Sequence, residues 1–182
     1  RGYDLNGYLA ARIRTDHETT LAADAREKLK KGLQVLIREG SVTKDLHALA
    51  EVLDENTSSF MCLCTDDRNP LDLEEEGHLD FMIRTLIGLG RPLHHVYRAA
   101  SWSAANAFGL RDRGMIAPGR RADIVLVGDL SQCDVKTVIS AGRVVTPELF
   151  AARRRIAPVG LDSMKARTVT AEDFRIPGAA AE

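Results

Sequence analysis

Short apolar runs that end in polar loops alternate along this chain with longer stretches of helical periodicity. The runs end near residues 15, 38 and 64, and an apolar residue recurs every three or four positions after each of them. This alternation is typical of parallel strands joined by crossover helices, which bring the carboxyl ends of the strands to one edge of the sheet. The sequence therefore predicts an α/β fold over residues 12–108, with the polar loops side by side.

Local signals predict where the helices begin and end. Thr20, Thr43 and Asp72 are the predicted N-terminal capping residues of three helices, because a side-chain oxygen there can accept an unpaired backbone N–H group. The third helix is expected to run unbroken over residues 72–90, and a fourth over residues 92–109, since glycine or proline stands at those ends.

The pattern changes after residue 109. A turn-rich link over residues 114–123 leads into β-branched runs at 124–127 and 135–139. Ala141 and Gly142 follow directly and are typical of a hairpin turn. The sequence therefore predicts a small antiparallel unit here, and then a weakly patterned tail.

Composition excludes several classes of partner. The chain has 182 residues and a formal net charge of -1, so it lacks the basic surface that nucleic acid or an anionic membrane requires. No apolar run approaches the roughly 20 residues that span a bilayer, and no leader segment is apparent. Cys62, Cys64 and Cys133 cannot all pair, which is typical of a reducing compartment. We therefore expect a soluble, cytoplasmic protein in which Cys62 and Cys64 are buried strand residues, although a metal-binding cysteine pair is conceivable.

The three predicted strand ends carry an unusual set of side chains. In chain order these are Asp16, His17 and Glu18, then Glu39 and Ser41, then Asp66, Asp67 and Arg68. Imidazole and carboxylate groups that converge on one point can hold a divalent metal, lower the pKa of a bound water and accept its proton. Two simpler interpretations stay open, because Asp66 and Asp67 could form a turn with a helix cap, and His17 could be an exposed histidine paired with its acidic neighbours.

Several segments, taken in order, resemble one known family. They are Thr15–Glu18, Ile37–Ser41, Cys64–Pro70, Glu75–Asp80, the stretch 114–127 and the late run Thr170–Phe174. Together they are similar to the adenine deaminases of the amidohydrolase superfamily. The stretch 114–127 occurs across the superfamily, whereas the first three segments are characteristic of adenine deaminase.

The resemblance implies a particular part of a larger fold. Residues 1–110 would be the carboxyl-terminal portion of a (β/α)8 amidohydrolase barrel, with strands six to eight, residues 111–150 a small β-sandwich segment, and residues 151–182 a weakly patterned tail. Because a complete barrel of this kind needs roughly 250 residues, we expect the chain to be a segment of a longer enzyme. Alone it should bind metal weakly, lack deaminase activity, and form a homo-oligomer or associate with the missing part of the barrel.

The resemblance also implies a set of site residues. His17 and Asp66 would bind the metal, Asp66 and Glu18 would be catalytic, and Asp67, Arg68 and His78 would contact a small purine substrate. The cofactor would be a divalent metal, with Mn or Fe favoured and Zn possible. Hydroxide activated by that metal would attack C6 of adenine, and hypoxanthine and ammonia would be released.

Two alternatives to an adenine deaminase segment follow from the same residues. The chain could belong to another amidohydrolase that acts on a cyclic amide or a different amino-purine. It could also be a non-catalytic remnant that kept the fold as an interaction module.

Overall fold

The computed structural model describes residues 2–152 and 154–176, which divide into two compact units, one ending at Val145 and one beginning at Thr146. In chain order, the first unit contains α1 (Gly2–Ala10), β1 (Thr15–Asp16), α2 (Ala22–Lys30), β2 (Gln34–Arg38), α3 (Leu46–Leu49), a 3₁₀ turn (Ala50–Val52), β3 (Met61–Cys64), α4 (Pro70–Glu75), α5 (Leu79–Gly88), α6 (Leu93–Ala100), α7 (Trp102–Ala107), β4 (Ile124–Val127), β5 (Val135–Ser140) and β6 (Arg143–Val144). The second unit contains α8 (Pro147–Ala151) and two 3₁₀ turns (Leu161–Ser163 and Ala171–Phe174).

The first three strands form a parallel sheet with β2 in the centre. Thr15 of β1 pairs with Gln34 of β2, and Arg38 at the end of β2 pairs with Cys64 of β3. Helices connect the strands, so the predicted α/β alternation is confirmed. The carboxyl ends of all three strands lie at one edge of the sheet, as expected for parallel pairing.

Alternate residues of the strands face opposite sides of the sheet, as strand geometry requires. One face packs against the helices and forms a core with Leu46, Leu49, Met82, Leu86 and Val96, to which the sheet contributes Val35, Ile37, Met61 and Leu63. The other face carries Leu36, Arg38, Cys62 and Cys64. Cys62 is buried as predicted, whereas Cys64 is only half-buried. Burial raises the pKa of the Cys62 thiol to about 12, so the thiol stays protonated.

The predicted cap of α3 is wrong. The helix begins after Asp45 rather than at Thr43, and the N–H group of Leu46 donates to Oε2 of Glu39 at 3.1 Å. Glu39 follows β2 and is only 4% exposed. A buried carboxylate from the neighbouring strand end therefore caps the helix in place of a local hydroxyl group.

The predicted cap of α2 is also wrong. Leu21 occupies the capping position, and no side chain accepts a hydrogen bond there. The buried hydroxyl is that of Thr19, which donates to Asp16 and accepts a hydrogen bond from Lys28 at 2.8 Å. Thr20 is exposed, and the turn before α2 is fixed by these side-chain contacts instead.

The stretch 72–90 contains two helices rather than the single predicted one. The predicted cap at Asp72 is wrong, because Asn69 caps α4 by accepting the N–H of Asp72 at 3.0 Å. The helix breaks at Gly77, where φ is +110°. Arg68 donates from Nε to the carbonyl of Gly77 at 2.8 Å. Local periodicity does not reveal this break, because its cause is a left-handed glycine held by a buried arginine.

The stretch 92–109 is likewise divided, into α6 and α7. Ser101 has φ −130° and ψ −81°, outside the helical region. Beyond this bend, the buried hydroxyl of Ser103 donates to the carbonyl of Ser58 at 2.6 Å. The prediction of one helix is wrong because α7 turns to contact the segment that precedes β3.

The antiparallel unit predicted after residue 109 is present. Strands β4, β5 and β6 form an antiparallel sheet, and Ala141 and Gly142 connect the last two with φ values of +50° and +77°. Both values are positive, as in the type I′ turn that suits a two-residue hairpin. The hydroxyl of Tyr97 on α6 donates to the carbonyl of Leu130 at 2.8 Å, which links this sheet to the helices.

The second compact unit covers most of the predicted tail. A capping box between Thr170 and Asp173 opens its last 3₁₀ turn. Residues 153 and 177–182 of the predicted tail lie outside the described residues, and the division at residues 110 and 150 stays a prediction. Across the ranges that the structure describes, no helix is both long and apolar enough to span a membrane.

Side chains also join the loops that follow β2 and β3. The Asp67 carboxylate accepts the N–H of Val42 at 3.1 Å and lies against Gly40. The hydroxyl of Ser41 donates to Asp72 and accepts the N–H of Asn69 at 2.9 Å. The two loops therefore hold each other in place at the carboxyl edge of the sheet.

Replacing Gly40 with alanine should disrupt this contact. A Cβ atom at Gly40 would stand 1.7 Å from Oδ1 of Asp67 and 3.2 Å from the carbonyl oxygen of Thr65. We expect Gly40→Ala to lower the free energy of unfolding by about 1–3 kcal/mol in urea titrations, because Asp67 must give up its hydrogen bond. The matched control Gly88→Ala, at an open position on α5, should leave stability unchanged or raise it. Equal effects at the two positions would refute the contact.

His95 on α6 is a buried histidine of unusual environment. Its side chain is 6% exposed, and neither ring nitrogen has a hydrogen-bond partner among the described residues. Burial is the main cause that lowers its pKa, and the positive charges of His94 and Arg98 lower it further, against smaller opposing effects of Glu55 and Asp54. The neutral form is therefore favoured in the folded state.

This burial predicts acid sensitivity. Below about pH 6.5 the unfolded chain binds a proton at His95 that the folded chain does not, so stability should fall as the pH falls. His95→Phe should make the loss of stability between about pH 7 and about pH 5.5 smaller than in the wild type, measured by urea unfolding. His47→Gln, at an exposed histidine of α3, is the control and should keep the wild-type difference. A His95→Phe protein with the wild-type pH dependence would contradict this assignment.

Candidate metal centre

His17, Glu18 and Asp66 converge at the carboxyl edge of the parallel sheet. Nε2 of His17 lies 3.3 Å from Oε1 of Glu18 and 3.8 Å from Oδ2 of Asp66. One candidate ligand atom from each residue lies within 4.8 Å of the other two. No other group of three His, Cys, Asp or Glu side chains is this close within residues 2–152 and 154–176.

Strand alternation decides which side chain of the first loop joins the group. Asp16 points to the helix side, where Lys28 donates to it at 2.6 Å. Burial would raise the pKa of Asp16, but hydrogen bonds from Lys28 and Thr19 outweigh it and hold that pKa below its usual value. Asp16 is thereby engaged, and His17, the next residue, faces the opposite side.

Asp66 reaches the group through an unusual backbone conformation. It lies two residues beyond the end of β3 and has φ +49°, in the left-handed region. Asp and Asn adopt this region more readily than other residues with a Cβ atom, because their short polar side chains bond locally. Its side chain is 41% exposed, whereas those of His17 and Glu18 are 46% and 64% exposed.

Arg38 is a member of the site that sequence reasoning missed. Its side chain is 6% exposed, and Nη1 donates to Oε1 of Glu18 at 2.9 Å and to Oδ2 of Asp66 at 3.3 Å. Nε donates to Oδ2 of Asp45 at 3.3 Å. The hydrogen bond to Glu18 is the largest cause that raises the pKa of Arg38, against burial, so the guanidinium is always charged. The one sequence feature that could have indicated Arg38 is its position as a charged residue at the end of an otherwise largely apolar strand.

Two of the predicted substrate residues, Asp67 and His78, lie outside the group formed by His17, Glu18 and Asp66. Asp67 holds the neighbouring loop at Val42, as described above. His78 is exposed, and its Nε2 lies 2.8 Å from the hydroxyl of Thr65, one residue before Asp66. The structure does not bring Asp67 or His78 into the His17 group itself.

Arg68 points away from the group. Its side chain is 1% exposed, with the guanidinium 4.6 Å from the centre of the Phe81 ring. It donates to Glu76 and to the carbonyl of Gly77. Arg68 therefore stabilises the break between α4 and α5.

The donor set suits a divalent cation. One imidazole nitrogen and two carboxylate oxygens are the ligands that Zn²⁺, Mn²⁺ and Fe²⁺ accept in proteins. His17, Glu18 and Asp66 could hold such an ion in part, since three donors leave positions open for water, substrate or further ligands. The exposure of the group allows access from solvent.

Proteins named adenine deaminase are similar to this chain over nearly its whole length. Adenine deaminase 1 of Rhizobium meliloti (strain 1021) is 61% identical over 177 residues, which cover 97% of the chain and 31% of that protein. The adenine deaminase of Methylobacterium nodulans is 65% identical over 178 residues, which cover 98% of the chain and 32% of that protein. The chain thus spans about a third of the length of these curated relatives. The predicted resemblance to adenine deaminases is confirmed.

Solved structures share the fold at lower identity. A β-aspartyl dipeptidase from Fervidobacterium islandicum AW-1 superposes with a TM-score of 0.53 at 21% identity, over 67% of this chain and 35% of its own. A second crystal structure, of an amidohydrolase, superposes with a TM-score of 0.54 at 16% identity, over 81% of this chain and 43% of its own. At such identities the likeness concerns the fold alone.

A comparison with sequence models of protein families also identifies an amidohydrolase. The model described as the amidohydrolase family matches residues 8–145, which include both sheets of the first compact unit. More than half of the chain is matched. The chain therefore belongs to the amidohydrolase family.

Proposed function

We propose that this chain supplies part of the active site of an adenine deaminase, which hydrolyses adenine to hypoxanthine and ammonia. The observation that carries the proposal is the group of His17, Glu18 and Asp66 at the carboxyl edge of a parallel sheet. This is where α/β enzymes of the barrel type place their chemistry. The identity of 61–65% to proteins named adenine deaminase supports the choice of substrate class.

We further propose that residues 1–110 form strands six to eight of a (β/α)8 barrel and that residues 111–150 belong to a β-sandwich. The parallel order of β1, β2 and β3, followed by an antiparallel sheet, supports this placement. Each outer strand has partners on one side only within the described residues, and such edges favour pairing with further strands. These would come from another segment or from another copy of the chain, so association is part of the proposal.

Each residue of the group has a distinct role in the proposed reaction. His17 and Asp66 would hold a divalent metal, with Mn²⁺ or Fe²⁺ favoured and Zn²⁺ possible. Such an ion supplies a Lewis acid that lowers the pKa of a water molecule to near 7. Asp66 would accept one proton as the oxygen of the water bonds to C6 of the purine, and Glu18, whose side chain is 64% exposed, would pass that proton to the ring nitrogen. The proton of the new hydroxyl group would then go through Asp66 to the amine, as the C6–N bond breaks and ammonia leaves.

The remaining predicted residues act around the substrate. Asp67 and His78 would contact the purine from the loop after β3 and from the break between α4 and α5. Because the guanidinium of Arg68 is buried, we assign it an indirect role, in which it fixes the break that presents His78. The unpaired thiols Cys62, Cys64 and Cys133 favour a reducing setting, and we propose cytoplasmic purine salvage.

A chimera tests the proposed activity. The 177 matching residues of this chain would replace the corresponding 31% of the Rhizobium meliloti protein, with the parent protein assayed beside it. With Mn²⁺ or Fe²⁺ present, we expect the chimera to release ammonia from adenine within about tenfold of the parental rate, because the site would then be complete. The 182-residue chain alone should release none.

The outcomes of the chimera separate the alternatives. A folded chimera that binds Mn²⁺ but leaves adenine intact would refute the deaminase assignment and favour another amino-purine or a cyclic amide. A folded chimera that neither binds Mn²⁺ nor turns over adenine would favour the non-catalytic interaction module. Circular dichroism checks that the chimera is folded.

Substituting Asp66 tests its assigned role in the same chimera. Asp66→Asn should lower the rate of ammonia release by about 10³-fold or more, because it removes both the proton acceptor and a charged ligand. Asparagine tolerates φ +49°, so the thermal unfolding midpoint should stay close to that of the parent chimera. The matched control Asp134→Asn changes an aspartate that is 43% exposed and paired with Lys136, and it should keep full activity. Turnover that survives Asp66→Asn would show that another group is the base.

A further inference from the structure

Arg38 contacts both exposed carboxylates of the candidate metal centre. A single nitrogen, Nη1, lies 2.9 Å from Oε1 of Glu18 and 3.3 Å from Oδ2 of Asp66. These two oxygens are also the ones nearest to Nε2 of His17, at 3.3 Å and 3.8 Å. The guanidinium and the imidazole therefore share the same pair of acceptor oxygens.

The position of Arg38 is fixed from behind. Nε donates to Oδ2 of Asp45, whose side chain is 8% exposed, and the backbone carbonyl of Arg38 accepts the N–H of Asp45 at 2.9 Å. Arg38 is also the last residue of the central strand, paired with Cys64. The backbone and Nε are therefore anchored, while Nη1 points at the two carboxylates.

This arrangement balances charge in the absence of a cation. Glu18 and Asp66 would repel each other across a short distance, and the guanidinium of Arg38 neutralises them. A divalent cation held by His17 and Asp66 would have to share Oδ2 of Asp66 with Nη1. It would also be repelled by a buried positive charge that water screens poorly. Arg38 and the cation therefore compete for Asp66.

We propose that Arg38 is an internal counter-cation of the metal centre, which neutralises Glu18 and Asp66 when no metal is bound and lowers the affinity of the site for divalent ions. On metal binding, Nη1 releases Asp66 while Nε keeps its bond to Asp45. Arg38 is thus a positioning residue that sets metal affinity and does not touch the reacting atoms. The inference rests on the metal site of the proposed function.

A purely structural role for Arg38 predicts the opposite result. If Arg38 only held the loops together, removing it would disorder Glu18 and Asp66 and weaken metal binding. As a counter-cation, its removal should strengthen binding, because a competing charge is lost. The sign of the change in affinity therefore separates the two roles.

The test is a Mn²⁺ titration of the metal-free chimera described above, in which the remaining part of the site is present, with free Mn²⁺ followed by its paramagnetic resonance signal. We expect Arg38→Met to bind Mn²⁺ about tenfold or more tightly than the wild type. Arg38→Lys keeps the charge and should stay within about threefold of the wild type. Arg26→Met, at an arginine whose Nη2 lies 3.7 Å from Glu51, makes the same change in net charge away from the site and should leave the affinity unchanged.

A second variant keeps the test possible if Arg38→Met fails to fold. Because Arg38→Met leaves Asp45 buried and unpaired, the double variant Arg38→Met with Asp45→Asn removes both charges, and circular dichroism checks its fold. It should show the same rise in Mn²⁺ affinity as a folded Arg38→Met chimera.

The outcomes distinguish this inference from the proposed function. Folded Arg38 variants without the positive charge that bind Mn²⁺ as the wild type does, or more weakly, overturn the counter-cation role and leave the metal site standing. A wild-type chimera and variants that all fail to saturate with Mn²⁺ overturn the metal site itself, and the inference with it. The inference is supported if Arg38→Met and its double variant with Asp45→Asn bind Mn²⁺ more tightly than the wild type, while Arg38→Lys and Arg26→Met do not.

Discussion

The parallel pairing of β2 between β1 and β3 is the constraint on which the rest of the first compact unit depends. It fixes the register in which Arg38 stands opposite Cys64, and so brings three strand ends to one edge. Val35 and Ile37 of the central strand are fully buried against the helices, which ties the sheet to the core. A shift of one residue in this register would turn Arg38 away from Glu18 and Asp66 and bury it among apolar side chains.

Around that edge, side chains from neighbouring loops take over tasks that local sequence usually performs. Glu39 caps α3 from the end of β2, Asp67 binds the loop before α3, and Arg68 holds the break before α5. Each of these groups is charged and each accepts or donates hydrogen bonds to backbone groups that would otherwise be unpaired. The loops therefore hold each other in place through Glu39, Asp67 and Arg68, and His17, Glu18 and Asp66 are not needed to cap a helix.

Membership of the amidohydrolase family and the proposed activity stand on different grounds. Membership follows from the match over residues 8–145. The activity concerns proteins about three times as long as this chain, of which it matches 31–32%. A chain that matches a third of the relatives' length would supply three ligand groups, and the remaining ligands would come from the other two thirds. The buried arginine beside these groups is part of this chain, so under our proposals the chain carries both candidate ligands and a group that modulates their affinity for metal.

The sequence alone determined the class of fold and the composition of the candidate site. Short apolar runs and the period-3.6 pattern of the stretches between them predicted the alternation of strands and helices, because these patterns report which residues are buried. The polar residues after each strand predicted the cluster, since parallel strands share one edge. The resemblance carried by segments such as Thr15–Glu18 and Cys64–Pro70 predicted the family.

Only the tertiary structure decided how those parts are arranged. The caps expected at Thr20 and Thr43 and the two unbroken helices were wrong, because tertiary contacts outweighed local propensity. The role of Arg38 could not be read from its neighbours in sequence, since its partners Glu18 and Asp66 lie 20 and 28 residues away. The sequence pattern of a strand predicts which of its residues are buried. The charged partner of a strand residue depends instead on the register between strands, which is fixed only when the strands pair.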